Sequence, residues 1–237
     1  MAELPIKHLS NSSIKQWGAC QFAWKKKYVD HVQPPKAYYF AFGRAVHAAL
    51  EEFGRQKIMR EEIDLDHILE VYQQEALKES VGLPIRDLAQ FRAEYPAGHD
   101  LVEKAVEFLS SKDVVNVEEE FLVDLGWGIP IKGFIDVIFA GDHVSDYKTA
   151  SKPWPKKKLQ EDPQFTIYYA AYHQLYGVYP KLSVMELDKK KKVVRETEIL
   201  RTPLHIEKVK KTVQEMLKEL ETGVYKRCGK CEICRSY

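Results

Sequence analysis

Two short strings in this sequence bring acid and amine groups together: Gly133-Phe134-Ile135-Asp136 and Asp146-Tyr147-Lys148. Gly141-Asp142 lies between them and reads as a turn. If Gly141 centres that turn, Asp136 faces Asp146 across two antiparallel strands. Opposed strand residues have Cβ atoms roughly 5 Å apart. Lys148 follows Asp146 by two positions and shares its sheet face. Carboxylates so close repel each other, and burial makes ionising both costly. A divalent cation removes that cost, and Mg²⁺ or Mn²⁺ prefers carboxylate oxygens. Such an ion activates water and polarises a phosphoryl oxygen. A neighbouring lysine can orient the water or stabilise charge developing on phosphate. The alternative is a structural ion pair between Lys148 and either aspartate. The D-x-K string alone does not decide, because Asp188-Lys189-Lys190 also matches it in what reads as a hairpin turn.

Three further groups could do chemistry. His47 and Glu51 are spaced i, i+4 and share a helix face, where a histidine can equally be structural. Gln164 and Tyr168 have the same spacing on a helix after the lysine strand, where ordinary amphipathic surface would look alike. The four cysteines are Cys20 and a late run, Cys228-x2-Cys231-x2-Cys234. In a chain of the reducing cytoplasm, such close spacing favours metal or cluster ligation over disulfides.

The elements that must position these groups follow from pattern. Leu9-Ser10-Asn11-Ser12 supplies cap chemistry for a first helix, on which Ile14, Trp17, Trp24 and Tyr28 recur near helical spacing. Pro34-Pro35 breaks the chain, and helices are predicted over about 39–56, 65–79 and 86–111. Stretches 114–125, 131–140 and 144–148 are rich in β-branched and aromatic residues and read as strands. A helix over about 163–176 follows, then a hairpin from 182–187 and 193–200 joined by Lys189 to Lys192. Thr202-Pro203 caps a last helix that ends near Gly223. The order predicts an α/β fold with a central mixed β-sheet flanked by helices, an N-terminal helical portion and a C-terminal cysteine cluster.

At 237 residues and 45% hydrophobic, the chain can bury a sizeable core as one domain. No run approaches the roughly 18–20 apolar residues of a membrane span. Met1 to Ser13 lacks the apolar core of a signal peptide, which points to the cytoplasm. The net charge of +1 does not announce a nucleic-acid partner, but Lys25–Lys27, Lys156–Lys158 and Lys189–Lys192 are local basic runs. Such runs can hold phosphates, although solvated turns and helix faces explain each one singly.

Taken in order, these strings resemble the RecB-like branch of the PD-(D/E)XK nucleases, and within it the iron–sulfur members: the AddB nuclease domain and the CRISPR-associated Cas-four nucleases. The resemblance runs through Leu9 to Ser12, Trp17, Cys20, Phe22, Tyr28, Gly43 to Glu51, Gly133 to Asp136, Asp146 to Thr149, Gln164 to Tyr168 and the late cysteines. It implies one domain over 1–237 with a restriction-endonuclease-like core: a helical portion over about 1–112, a catalytic sheet core over 113–202, and a C-terminal helix and cysteine cluster over 203–237. It implies that His47, Asp136, Asp146 and the Tyr147 carbonyl bind Mg²⁺ or Mn²⁺ and that Lys148 is the catalytic lysine. Gln164, Tyr168 and Arg44 would support the site or touch DNA. The implied activity is DNA cleavage, as an exonuclease on single strands or frayed ends, in recombination, repair or CRISPR adaptation. The implied cofactor at Cys20, Cys228, Cys231 and Cys234 is a 4Fe-4S cluster. The last cysteine gap is shorter here than in those iron–sulfur members, and four thiolates also suit tetrahedral Zn²⁺. The rival functions are a catalytically weak nucleic-acid-binding module, a restriction-type endonuclease and a zinc-stapled structural protein.

Overall fold

In the computed structural model, which describes residues 4–236, the Ser13 N–H donates to the Ser10 hydroxyl and the Ser10 N–H donates to Ser13 Oγ in return. This reciprocal cap starts helix α1 (Asn11–Ala19). The helix expected to run on towards Tyr28 breaks at Cys20, whose backbone is extended (φ −167°, ψ 110°). Cys20 ends α1 and its sulfur accepts the Ala23 N–H at the start of α2 (Gln21–Tyr28). Trp17 and Trp24, on either side of the break, meet edge to face at 5.1 Å.

The three long helices follow as predicted: α3 (Tyr38–Met59), α4 (Leu65–Ser80) and α5 (Ile85–Leu109). Phe42, Val46, Ala49 and Phe53 form the buried stripe of α3. The sheet has five strands in the order β1 (Val114–Val123), β2 (Ile131–Phe139), β3 (His143–Ala150), β4 (Lys181–Asp188) and β5 (Val193–Glu198). Neighbours are antiparallel except β3 and β4, which run parallel. Parallel neighbours need a crossover, and α6 (Lys156–Glu161) with α7 (Pro163–Tyr176) provides it. Helix α6 was not anticipated; the Lys156–Lys158 run forms its first turn. Helix α8 (Pro203–Glu221) and the short α9 (Glu232–Ser236) complete the chain.

Each sheet face carries its own core. Ile135, Ile138, Val144 and Val184 pack with Trp17, Phe165, Val213 and Met216 from α1, α7 and α8. Val137, Phe139, Tyr147 and Met185 pack with Phe53, Tyr72 and Leu101 from α3, α4 and α5. The mixed sheet flanked by helices, with the cysteines gathered at one end, is the architecture the sequence predicts. No helix among the described residues is long and apolar enough to cross a membrane.

Candidate active site and cysteine centre

Strand alternation should keep residues of one parity on one face, and β1 and β2 break that rule at the same place. Ile131 and Ile135 lie in the α7/α8 core, whereas Val137 and Phe139 lie in the α3–α5 core. Phe121 and Val123 belong to the first core, and Val117 packs against the second. The switch falls at Glu118, which has a left-handed backbone (φ 47°), and at Asp136, which stands opposite it between the pairs Val117–Val137 and Glu119–Ile135. A non-glycine residue there costs about 1–3 kcal/mol and persists only where the surroundings impose it. The pairing of β2 with β3 follows a Gly141-centred register, with Val137, Ile138 and Phe139 opposite Ser145, Val144 and His143. It ends one pair short of Asp136 and Asp146. There the strands part, and the Tyr147 N–H donates to Asp136 Oδ2 at 2.7 Å.

The parting opens a site between α3 and α7. His47, on α3, puts Nδ1 3.6 Å from Asp136 Oδ2 and meets the Tyr147 ring edge-on at 5.8 Å. Asp146 Oδ2 pairs with the Lys148 ammonium at 2.5 Å. Asp146 Oδ1 accepts from Gln164 Nε2 at 2.6 Å and from the Tyr168 hydroxyl at 3.2 Å. Gln164 Oε1 in turn accepts from Lys148 Nζ at 3.0 Å. One α7 amide therefore fixes both the aspartate and the lysine of the D-x-K string. Asp162 starts α7 as its cap, accepting the Gln164 N–H, and so sets where Gln164 stands.

Glu118 joins this group without any expectation from sequence. His47, Glu118 and Asp136 each offer a ligand atom, all within 4.8 Å of one another. An imidazole and clustered carboxylates form the hard, oxygen-rich donor set that Mg²⁺ or Mn²⁺ takes. Burial pushes the Glu118 carboxyl up to about 7, and the Asp136 and Glu51 charges add to the rise. Burial and the Asp146 charge push Asp136 up to about 6. Burial works against the Lys148 ammonium, but Asp146 and Asp136 outweigh it and hold its pKa above the usual lysine range.

The raised carboxyls have a consequence for stability. Both hold a proton more tightly folded than unfolded, so their stabilising contribution is complete at low pH and is lost as pH rises through about 7. The metal-free protein is expected to melt at progressively lower temperature from about pH 4 to about pH 7. Saturating Mn²⁺ should flatten that slope, and Glu118→Gln should remove its own share while weakening Mn²⁺ binding in titration calorimetry. Identical slopes and Mn²⁺ affinities in wild type and Glu118→Gln would exclude Glu118 from the cation site.

Arg44 is not brought to the acids. It lies one turn before His47 on α3, and its guanidinium pairs with Glu79 of α4. The Lys189–Lys192 run is partly consumed in packing, with Lys189 paired to Glu94 and Lys192 to Asp100 of α5. The rival D-x-K string is a turn: Asp188 accepts the N–H groups of Lys190 and Lys191 and pairs with Arg195 at 2.9 Å.

The four cysteines converge although Cys20 is distant in sequence. Cys20 Sγ is 3.5 Å from Cys234 Sγ, Cys228 Sγ is 3.9 Å from Cys234 Sγ, and all four sulfurs lie within 4.8 Å of one another. The N–H groups of Lys230 and Cys231 pull the Cys228 thiol down to about 6, whereas burial pushes Cys231 up to about 12. The Phe22 N–H donates to the Lys226 carbonyl and the Lys226 N–H to Gln21 Oε1, which ties the tail to α2. Lys25 then lies over Tyr225 while pairing with Asp30, and Arg227 lies over Phe22 at 4.0 Å.

The sequence profile of the PD-(D/E)XK nuclease superfamily matches residues 8–236. Among solved structures, the chain is similar to a candidate exonuclease from Eubacterium rectale, at 13% identity and a TM-score of 0.64, over 97% of this chain and 88% of that one. At that identity the likeness speaks for the fold. No curated protein matches the sequence.

Proposed function

The chain belongs to the PD-(D/E)XK nuclease superfamily, and from that premise we propose that it is a divalent-metal-dependent deoxyribonuclease acting on single strands or frayed DNA ends. The observation that carries this reading is the meeting of His47, Asp136, Asp146, Lys148 and Gln164, drawn from α3, β2, β3 and α7, where the sheet opens. His47, Asp136, Asp146 and the Tyr147 carbonyl would hold the cation, with Glu118 in reach of the first two. When bound, the cation supplies Lewis acidity that draws charge from the scissile phosphate. Lys148, held by Asp146 and Gln164, orients the attacking water and balances charge growing on a phosphate oxygen. Tyr168 keeps its proton, because burial and the neighbouring carboxylates raise its pKa well above the usual range, and it donates to Asp146. The reading extends to DNA-end processing in the cytoplasm, in recombination, repair or CRISPR adaptation.

The deciding experiment follows end-labelled single- and double-stranded DNA with Mn²⁺ or Mg²⁺. The expected result is metal-dependent, stepwise shortening of the single strand. Substrate of unchanged length with both metals would end the nuclease reading in favour of a binding module.

For the cysteines the proposal is a 4Fe-4S cluster, supported by a C-x2-C-x2-C run with a remote fourth thiolate. Ferredoxin-type runs have this early spacing. A second reading has its own observation: sulfurs 3.5 and 3.9 Å apart match the roughly 3.8 Å edges of a tetrahedron with Zn–S bonds near 2.3 Å.

A further inference from the structure

We propose that the groove between the start of α1 and the free edge of β2 seats the substrate as a single strand, with one nucleobase stacked on Phe134. This rests on the nuclease reading above and assigns the strand's path. The path begins with an interrupted sheet. β2 pairs with β3 only over Val137 to Phe139. At its other end Leu9 takes the place of a neighbouring strand, donating to the Pro130 carbonyl at 3.0 Å and accepting from the Lys132 N–H at 2.8 Å. Between these contacts the side of β2 that faces β3 has no strand partner from Gly133 to Asp136 among the described residues, while its other side pairs with β1. A groove of about 410 Å³ opens there, lined by His8, Ser12, Lys132, Phe134, Asp136 and Gln164 among others. It therefore leads directly to the acid and amide of the proposed active site.

Phe134 is a poor core residue and a good platform. It is 45% exposed, two positions before Asp136. On the opposite face of the strand the Phe121 ring occupies the space of a Gly133 Cβ, so the strand lies flat over that ring and Phe134 faces away from it. Lys132 Nζ lies 5.7 Å from the Phe134 ring centroid and 2.5 Å from Glu120. An aromatic face beside an ammonium, in a groove that ends at a phosphodiester-cutting site, suits a base with its phosphate. The platform suits a single strand, because a base inside a duplex has both faces covered within its stack. Base–aromatic stacking is tolerant of sequence, which suits an enzyme that degrades without regard to it.

The test compares wild type, Phe134→Ala and Phe134→Trp without added divalent metal, so that no strand is cut. Fluorescence anisotropy reads binding to a labelled oligothymidylate, an abasic strand of equal length, an oligouridylate and a blunt duplex. Phe134→Ala is expected to raise Kd for oligothymidylate by roughly 5- to 150-fold, the range that base–aromatic stacking converts to. Phe134→Trp should keep wild-type affinity, and the abasic strand should bind both substituted proteins and wild type alike. Unchanged oligothymidylate affinity in Phe134→Ala overturns the stacking proposal, as does an equal loss on the abasic strand. Tighter binding of oligouridylate or of the duplex overturns the assignment to single-stranded DNA. A parallel assay with Mn²⁺ added reads cleavage: if wild type cleaves single strands while Phe134→Ala binds and cleaves like it, only this inference fails. If wild type neither binds nor cleaves any of the four, the nuclease reading fails with it.

Discussion

Lys148→Ala is expected to slow metal-dependent cleavage by roughly 10²- to 10³-fold, the usual loss when one preorganised charge or donor at a developing oxyanion is removed. DNA affinity should change far less, because it rests mainly on phosphate contacts spread along the strand. A structural ion pair would make a different prediction. Asp146 is 1% exposed and pairs with Lys148 at 2.5 Å. Stripping one partner from a buried pair typically costs about 3–5 kcal/mol of stability, and activity would then fall only through loss of folded protein. The double substitution Asp146→Asn with Lys148→Met separates the cases. It removes both charges, so thermal stability should recover most of what Lys148→Ala loses, while cleavage stays at least as slow as in Lys148→Ala. Asp188→Asn is the control, because the second D-x-K string serves a turn at the end of β4. That variant should melt earlier yet cut at the wild-type rate per folded molecule. A wild-type cleavage rate in Lys148→Ala would remove the lysine from the chemistry.

The part of this site that the sequence made legible is the part fixed by local rules. Gly141, with φ 77°, centres the β2–β3 turn, and turn geometry then sets which residues oppose one another. The i, i+4 spacing of Gln164 and Tyr168 puts both on Asp146 Oδ1. What escaped depends on tertiary packing. Glu118 sits in Glu118-Glu119-Glu120, and nothing in three like residues marks the one whose backbone turns left-handed. That turn answers two cores on opposite sheet faces, which alternation within one strand cannot foretell. The break at Cys20 escaped for a similar reason, since no proline or adjacent glycine signals it and a cysteine sulfur does the capping. Arg44 lies on the same helix as His47, but the partner that takes its guanidinium, Glu79, stands on another helix.

Removing one thiolate should have the second large effect. Anaerobically purified wild type is expected to be brown, with iron and sulfide near four each per chain, as a Cys₄ cubane requires. Cys20→Ser should lose the colour and melt at clearly lower temperature. Serine is the informative replacement, because Cys20 also caps α2, and a hydroxyl keeps that cap while failing as a soft ligand. The tail depends on the centre for its place. Helix α9 has no buried residue, and the Lys226 contacts with Gln21 and Phe22 tie the chain to α2 before it. Bringing Cys20 to the late cysteines closes a loop whose entropy costs an unlinked chain roughly 4–5 kcal/mol by the logarithmic loop law. Metal–thiolate bonds offset that cost, so limited proteolysis should cut Cys20→Ser after α8 at a protease dose that leaves wild type intact. A colourless anaerobic preparation with one zinc per chain would assign the tetrad to zinc, in line with its sulfur spacing, and leave the nuclease reading standing. Four titratable thiols and no bound metal in freshly prepared anaerobic protein would remove the metal centre altogether.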